Sequence, residues 1–322
     1  MADVYRTTHI GLGAIGKEIA RLAARRRDVL PVAAADISPE IAGRDLYEVI
    51  GVEGPVPVRI ASDIDEALAA PSDVVLHATG SYLEDVAPQL LAAVRAGRNV
   101  ISTCEELAYP WRRLPALAAE LDREARRAGV TVLGAGVNPG FVLDTLVLCL
   151  TAACGHVRRI EATRVVDVSR RREQLQRKVG AGLALDEFRA RVAGGRFGHV
   201  GLMESSWLVA QGLGWELEDL RETIEPIRGE DGRALGARQA VTGWVGGREA
   251  LRLSVEMAVG APNPRDEIVI EGEPPVRMVI EGGIPGDSST AAVVVNCIPA
   301  VVAHQPGLAT MLDLPLPRSS GA

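Results

Sequence analysis

The sequence predicts an α/β protein: an N-terminal domain with a parallel sheet covered by helices, followed by an α+β second domain. Three observations predict this. Strand-like and helix-like patterns alternate from the first residues to about residue 133, as they do when each strand feeds a crossover helix. A glycine-rich turn, Gly11-Leu12-Gly13-Ala14-Ile15-Gly16, joins the first strand pattern to the first helix pattern. After Phe141 the alternation gives way to longer strand patterns mixed with helices. The expected division is residues 1–140 as the first domain, with 286–322 returning to it, and 141–285 as the second.

Thr8-His9-Ile10 closes the first strand. Gly11 suits a tight strand-to-helix turn, Gly13 lets an anion approach the backbone, and Gly16 lets the helix pack closely on the strand. The helix that runs to about Arg26 offers its first N–H groups, around Ala14 and Ile15, to a pyrophosphate. A second strand, Val32-Ala33-Ala34-Ala35, ends at Asp36. That acid lies about 20 residues beyond the last glycine, where dinucleotide-binding folds of the Rossmann type place a ribose-binding carboxylate. Residues 45–50 read as a short helix, 56–60 as a strand, 64–70 as a helix and 73–78 as a buried strand. Residues 83–96 form an amphipathic helix stopped by Gly97, 99–102 a strand, 114–128 a long helix ended by Gly129, and 130–133 a strand. Beyond Phe141, residues 142–153, 183–192 and 203–211 are helical candidates. Residues 160–168 alternate as a strand does, and 248–259, 267–271 and 276–281 read as antiparallel strands. Residues 287–303 read as one more helix.

Apolar residues make up 47% of the chain, enough for a sizeable core. The net charge of -7, with no basic block and few aromatics, argues against nucleic acid as a partner. The N-terminus shows no signal segment, and no apolar run is long and uninterrupted enough to span a bilayer, so a cytoplasmic protein without a membrane partner is expected. Cys104, Cys149, Cys154 and Cys297 have no Cys-x-x-Cys spacing and no paired histidines nearby, which points to reduced thiols and no metal site. Lysine occurs only at Lys17 and Lys178, so a lysine-based mechanism has few candidates.

Ligands of open parallel sheets bind at the carboxyl ends of the strands. The segments there include Ala78-Thr79-Gly80-Ser81, which adds Thr79 and Gly80 to the cofactor contacts, and Ser102-Thr103-Cys104-Glu105-Glu106. A half-desolvated carboxylate at Glu105 or Glu106 is a usable proton acceptor near neutral pH; two solvated acids in a first helical turn are the alternative. Asn138, in Asn138-Pro139-Gly140-Phe141, is a candidate to bond the cofactor carboxamide, and Phe141 to wall a pocket. The alternative is a turn with a packed Phe. His199 lies in a flexible Gly198-His199-Val200-Gly201 setting that suits a site residue. The other histidines show no triad or metal spacing. Arg164 sits in a strand-like stretch and needs a charged or carbonyl partner if it points inward. The run Arg170-Arg171-Arg172 reads as a solvated face.

Several stretches together resemble the 2,4-diaminopentanoate dehydrogenases and the native NAD(P)-dependent amine dehydrogenases related to them. They are Ile101-Ser102-Thr103-Cys104-Glu105-Glu106-Leu107-Ala108-Tyr109-Pro110-Trp111, Gly136-Val137-Asn138-Pro139-Gly140-Phe141, Arg164 to Arg171, Gln176-Arg177-Lys178-Val179-Gly180-Ala181-Gly182, Gly286-Asp287-Ser288-Ser289-Thr290-Ala291-Ala292, Asn296-Cys297-Ile298-Pro299, and Pro306 to Met311. The resemblance implies a dihydrodipicolinate reductase-like architecture, NAD or NADP as cofactor, and a homodimer formed through the second domain. It also implies reductive amination of a ketone or aldehyde with ammonia, or the reverse oxidative deamination. The family's essential glutamate falls on Glu105, with Glu106 the fallback. Its pocket positions fall near Phe141, Arg164, Val166 and His199, in a pocket expected between the domains. Family members often carry a polar residue where Val166 stands, which favours a more apolar substrate here. Arg164 is expected to orient the cofactor or help close the cleft, because a guanidinium beside an iminium opposes its formation.

Overall fold

In the computed structural model, residues 4–169 and 173–319 are described. The basic run Arg170-Arg171-Arg172 lies outside them. The chain divides into two compact units, residues 1–141 with 285–322, and residues 142–284.

The first unit runs β1 (Tyr5–Ile10), α1 (Ala14–Arg25), β2 (Val29–Ala35), α2 (Leu46–Ile50), β3 (Ile60–Ala61), α3 (Ile64–Leu68), β4 (Val74–His77), α4 (Leu83–Arg95) and β5 (Asn99–Ser102). A 3-10 turn, Glu105–Ala108, then leads to α5 (Pro115–Ala128) and β6 (Thr131–Gly134). Its seven-stranded sheet has the order β13-β6-β5-β4-β1-β2-β3, and every pairing in it is parallel. The central strands are buried, as a parallel sheet covered on both faces requires. From β1 the chain moves outward on one side to β2 and β3, then on the other to β4, β5 and β6. The topological switch point therefore lies between β1 and β4, where such sheets open a ligand crevice.

The second unit runs α6 (Thr145–Thr151), β7 (His156–Asp167), α7 (Glu173–Lys178), α8 (Leu185–Ala193), α9 (Leu202–Leu213), β8 (Asp219–Arg228), β9 (Ala234–Val245), β10 (Arg248–Ala258), β11 (Arg265–Glu273) and β12 (Val276–Glu281). Its sheet has the order β12-β11-β7-β10-β9-β8 and is mixed, because β7 runs parallel to β10 while its other pairings are antiparallel. The sequence reading assigns the later strands as antiparallel and does not foresee β8 or β9. β8 carries Pro226 and lies at the sheet edge, where a missing N–H is tolerated. β9 is rich in glycine and alanine, so its alternation is faint.

The chain then returns to the first unit with α10 (Gly286–Asn296), α11 (Ile298–Ala303) and β13 (Gly307–Ala309). What reads as one helix is two, broken at Cys297 before Pro299. By length and composition alone, residues 286–303 could cross a membrane, which corrects the sequence reading of no such stretch. Ala291, Val293, Val294, Val295, Ile298 and Val301 are nevertheless buried in the first unit's own core, against Ile19, Leu76, Ile101 and Leu133.

Candidate active site

The first unit gathers its candidate residues at the carboxyl ends of β1, β2, β4, β5 and β6. Gly11 has φ +85, and a Cβ there would lie 2.6 Å from the Ala78 carbonyl oxygen and 2.7 Å from Thr79 Cγ2. Only glycine fits that turn, and it brings the β4 loop against the β1 loop. A Cβ on Gly16 would lie 1.8 Å from the Gly11 carbonyl oxygen, so α1 packs tightly onto its own turn. At Gly13, by contrast, nothing lies within 4 Å of the Cβ position. This leaves an open cradle at the start of α1, where the first helical N–H groups have no intrahelical acceptor. Asp36 is half-buried and held by two backbone donors: Leu12 N–H to Oδ2 at 2.5 Å and Ser38 N–H to Oδ1 at 2.8 Å. Its carboxylate is thus oriented from the glycine loop itself. These features fit a dinucleotide, with the glycine loop and Asp36 as the residues to hold it.

The two adjacent glutamates part company. Glu106 is 7% exposed. Its Oε2 accepts the Leu83 N–H at 2.8 Å, and its Oε1 lies 3.5 Å from Arg113 Nε. Leu83 opens α4, whose N-cap Tyr82 makes no side-chain cap, so Glu106 satisfies an orphan donor at a helix N-terminus from the next loop. Glu105 is half-buried at the first position of the same 3-10 turn. That turn is braced on two sides. The Ser81 carbonyl accepts from Glu106 N–H at 3.3 Å and from Cys104 Sγ at 3.3 Å. Opposite, a Cβ on Gly134 would sit 2.5 Å from the Leu107 carbonyl carbon, so β6 packs directly on the turn. Burial pushes the Cys104 thiol far up, and both glutamates add to the effect, so it stays protonated.

Beneath this turn lies a polar network the sequence reading does not anticipate. His77 and Ser102 are the last residues of β4 and β5 and pair across the parallel ladder. His77 Nδ1 lies 2.8 Å from Ser102 Oγ, and Nε2 lies 2.8 Å from both Gln89 Oε1 and Thr79 Oγ1. Thr79 Oγ1 donates to Gln89 Oε1 at 2.7 Å, and Ser102 Oγ accepts the Cys104 N–H at 3.1 Å. Burial lowers the His77 pKa to about 4, so the ring is neutral. Two polar residues facing each other at the ends of adjacent parallel strands are the signal that could have found this pair.

The loop after β6 is pinned from α10, where Thr290 Oγ1 accepts the Val137 N–H at 3.2 Å. Gly140, at φ +118, folds back on Gly136. Asn138 in this loop is half-buried. Phe141 is also half-buried and packs against the core that includes α10 and α11.

The second unit holds Arg164, Val166 and His199. Arg164 and Val166 are two apart on β7 and share a face. The antiparallel register sets Arg164 opposite Asp266 on β11. Arg164 Nε lies 3.5 Å from Asp266 Oδ1, with both side chains nearly fully buried. Arg164 also donates to the Ile284 carbonyl, and Asp266 Oδ2 accepts the Ile284 N–H at 2.7 Å. The pair therefore clamps the last residue of the second unit. Those contacts account for the buried arginine and give it an anchoring task. Burial raises the Asp266 pKa, and Arg164 and the Ile284 N–H oppose that rise.

His199 is held by Gln239 of β9. Gln239 Oε1 accepts the His199 N–H at 2.7 Å, and Nε2 donates to the His199 carbonyl at 2.8 Å and to Glu222 Oε1 at 2.8 Å. Gly198, φ +91, leaves room for that amide, since a Cβ there would come within 2.5 Å of Gln239 Oε1. Desolvation, then the charges of Lys178 and Arg164, lower the His199 pKa to about 3, so its ring is neutral and lies in a positive field. The structure thus brings Arg164, Lys178 and His199 into one electrostatic neighbourhood. Among the described residues, no group of three or more His, Cys, Asp or Glu could hold a metal ion.

Residues 141–321 match the family described as the 2,4-diaminopentanoate dehydrogenase C-terminal domain. The chain is 33% identical to a 2,4-diaminopentanoate dehydrogenase from Acetoanaerobium sticklandii, over 96% of this chain and 93% of the relative. It is 28% identical to an amine dehydrogenase from Streptomyces virginiae, over 97% and 96%. Among solved structures, an amine dehydrogenase from Mycobacterium smegmatis superposes with a TM-score of 0.86 at 25% identity, covering 98% of this chain and 97% of that one.

Proposed function

The chain belongs to the 2,4-diaminopentanoate dehydrogenase family, and on that premise we propose that it is an NAD(P)-dependent amine dehydrogenase that interconverts small carbonyl compounds and ammonia with primary amines. The observation that carries this reading is the division of labour between two neighbouring acids. Glu106 caps α4, and Glu105 sits half-buried at the first position of a turn braced from both sides, beside the loops that fit a dinucleotide. The nicotinamide, when bound, supplies hydride in amination and accepts it in deamination. Glu105 as carboxylate takes a proton from ammonium as ammonia adds to the carbonyl, returns it to the carbinolamine hydroxyl so that water leaves, and stabilises the iminium cation that forms. Gly11, Gly13, Ala14, Ile15 and Gly16 with Asp36 hold the cofactor, helped by Thr79, Gly80 and Asn138. Phe141, Val166 and His199 are the proposed pocket residues.

NADH is accepted at least as well as NADPH on this reading, because Asp36 repels a 2′-phosphate. The aliphatic Val166 and the neutral His199 support simple aliphatic ketones and aldehydes. A second ammonium beside His199 would meet Lys178 and Arg164. 2,4-Diaminopentanoate itself is the second reading, favoured by the 33% identical relative. The test is NADH oxidation on a panel of carbonyl compounds with and without ammonium, and NAD reduction on alkyl amines against 2,4-diaminopentanoate. Reduction that proceeds equally without ammonium rejects amination; a far higher kcat/KM for the diamino acid selects the second reading. A homodimer built on the six-stranded sheet belongs to the same proposal, and a monomer mass by light scattering at micromolar concentration rejects it.

A further inference from the structure

With the Gln89 amide oxygen turned to the ring, the hydrogen bonds around His77 close in one direction. Gln89 Oε1 can only accept, so Nε2 carries the ring proton and Nδ1 is left to accept the Ser102 hydroxyl, whose oxygen also accepts the Cys104 N–H. The ring donates toward Gln89 Oε1, which also accepts from Thr79 Oγ1. The chain Cys104 N–H to Ser102 Oγ–H to His77 Nδ1, and His77 Nε2–H to Gln89 Oε1, runs in one direction with each of these groups satisfied. One end of it is the N-cap of the turn that begins at Glu105. The other is Thr79, whose methyl carbon abuts the Gly11 position of the glycine loop.

We infer that His77 is a positioning residue that sets the Glu105 turn and the Thr79 cofactor loop against each other from a single buried ring. The inference rests on the amine dehydrogenase reading of Glu105. The geometry separates two arms. The Ser102 arm reaches the turn that carries the acid, and the Nε2 arm reaches the loop beside the glycines, both directly at Thr79 Oγ1 and through Gln89 Oε1. Filler packing has no such division, since an apolar residue of similar size would serve at the end of β4.

The ring is buried, so the test cuts its arms one at a time. In Ser102→Ala, kcat for ammonia-dependent NADH oxidation is expected to fall about tenfold while the Kd for NADH, read by fluorescence titration, stays within about twofold. In Gln89→Ala, the Kd for NADH is expected to rise about fivefold while kcat stays within about twofold. Parallel losses in both quantities for both variants, or no change in either, overturn the inference. The NADH titration of Gln89→Ala needs no turnover, and an unchanged Kd there overturns it as well. Absence of ammonia-dependent turnover in the unaltered chain is a separate result, and it strikes the amine dehydrogenase reading beneath.

Discussion

The two units hold their candidate residues by different means. In the first, the residues sit at the ends of parallel strands, and neighbouring loops brace one another: Glu106 caps α4, and His77 joins Ser102 to Thr79. In the second, His199 is held by Gln239, forty residues further along the chain, and Arg164 by Asp266, about a hundred further. The first arrangement follows from topology, because a parallel sheet delivers every strand end to one edge. The second depends on which residues of a mixed sheet happen to be in register. A chemical role is therefore easier to place in the first unit, and the rigidity of each site rests on different groups.

Acid should expose the difference most strongly. His9 and His77 are each 1% exposed in the first unit, and burial lowers both pKa values to about 4. The native rings stay neutral down to that pH, while unfolded rings protonate below about 6.5. Stability is therefore lost as pH falls from about 6.5 to about 4, by up to about 3 kcal/mol per ring, and levels off below. In the second unit only His199 titrates in this way; its pKa is lowered to about 3, but it is one ring where the first unit has two. Ion-paired acids there, such as the half-buried Glu267 with its lowered pKa, release stability only below about 4.5. Hydrogen exchange at pH 5 should show β1 and β4 losing protection before β10. Equal or reversed loss breaks the comparison.

The second test separates the paired acids. Glu105→Gln is expected to fold, to bind NADH and to lose about 100-fold or more in amination, as removal of a proton-transfer group does. Glu106→Gln should lower Tm instead, since it weakens a charged helix cap worth about 1 kcal/mol. Near-normal turnover of Glu105→Gln together with an inactive Glu106→Gln would move the acid by one residue.

These contrasts mark what the sequence could say. The glycine turn, Asp36 and the Glu105-Glu106 pair were legible because each stands at a fixed offset from a strand, and local spacing carries that information. The choice between the glutamates was not, because it depends on Leu83 and Arg113, which reach Glu106 only through the fold. Gln239 was invisible for the same reason. It reads as an ordinary polar residue in a weak strand, and only the β8–β9 hairpin brings it to His199. Arg164 needed a partner by its chemistry, and the antiparallel register supplied Asp266, which no spacing rule predicts.

A third test addresses the second unit. Gln239→Leu keeps the volume but leaves the His199 N–H and carbonyl without their side-chain partner, a loss of about 1–3 kcal/mol in local stability. If His199 walls the pocket, kcat/KM for the carbonyl substrate should fall about tenfold with the NADH Kd unchanged. A lowered Tm with full activity would leave Gln239 as scaffold and remove His199 from the pocket.

The smallest effect belongs to Asp36. Its two oxygens are oriented by Leu12 and Ser38 N–H groups whether or not cofactor is present, so the carboxylate does not have to be ordered on binding. Asp36→Ser removes the charge that opposes a 2′-phosphate and keeps a hydroxyl acceptor for local backbone donors. The NADH to NADPH ratio of kcat/KM should shift toward NADPH by about tenfold or less, because the charge is half-exposed and screened by solvent. The effect should appear in KM and leave kcat nearly constant, since Asp36 lies on the β2 edge and the acid turn follows β5, with β4 and β1 between them in the sheet. A fall in kcat with both cofactors would instead mean that the Leu12 contact holds the glycine loop in its working shape. A strong preference for NADPH in the unaltered chain would remove Asp36 as the discriminating group.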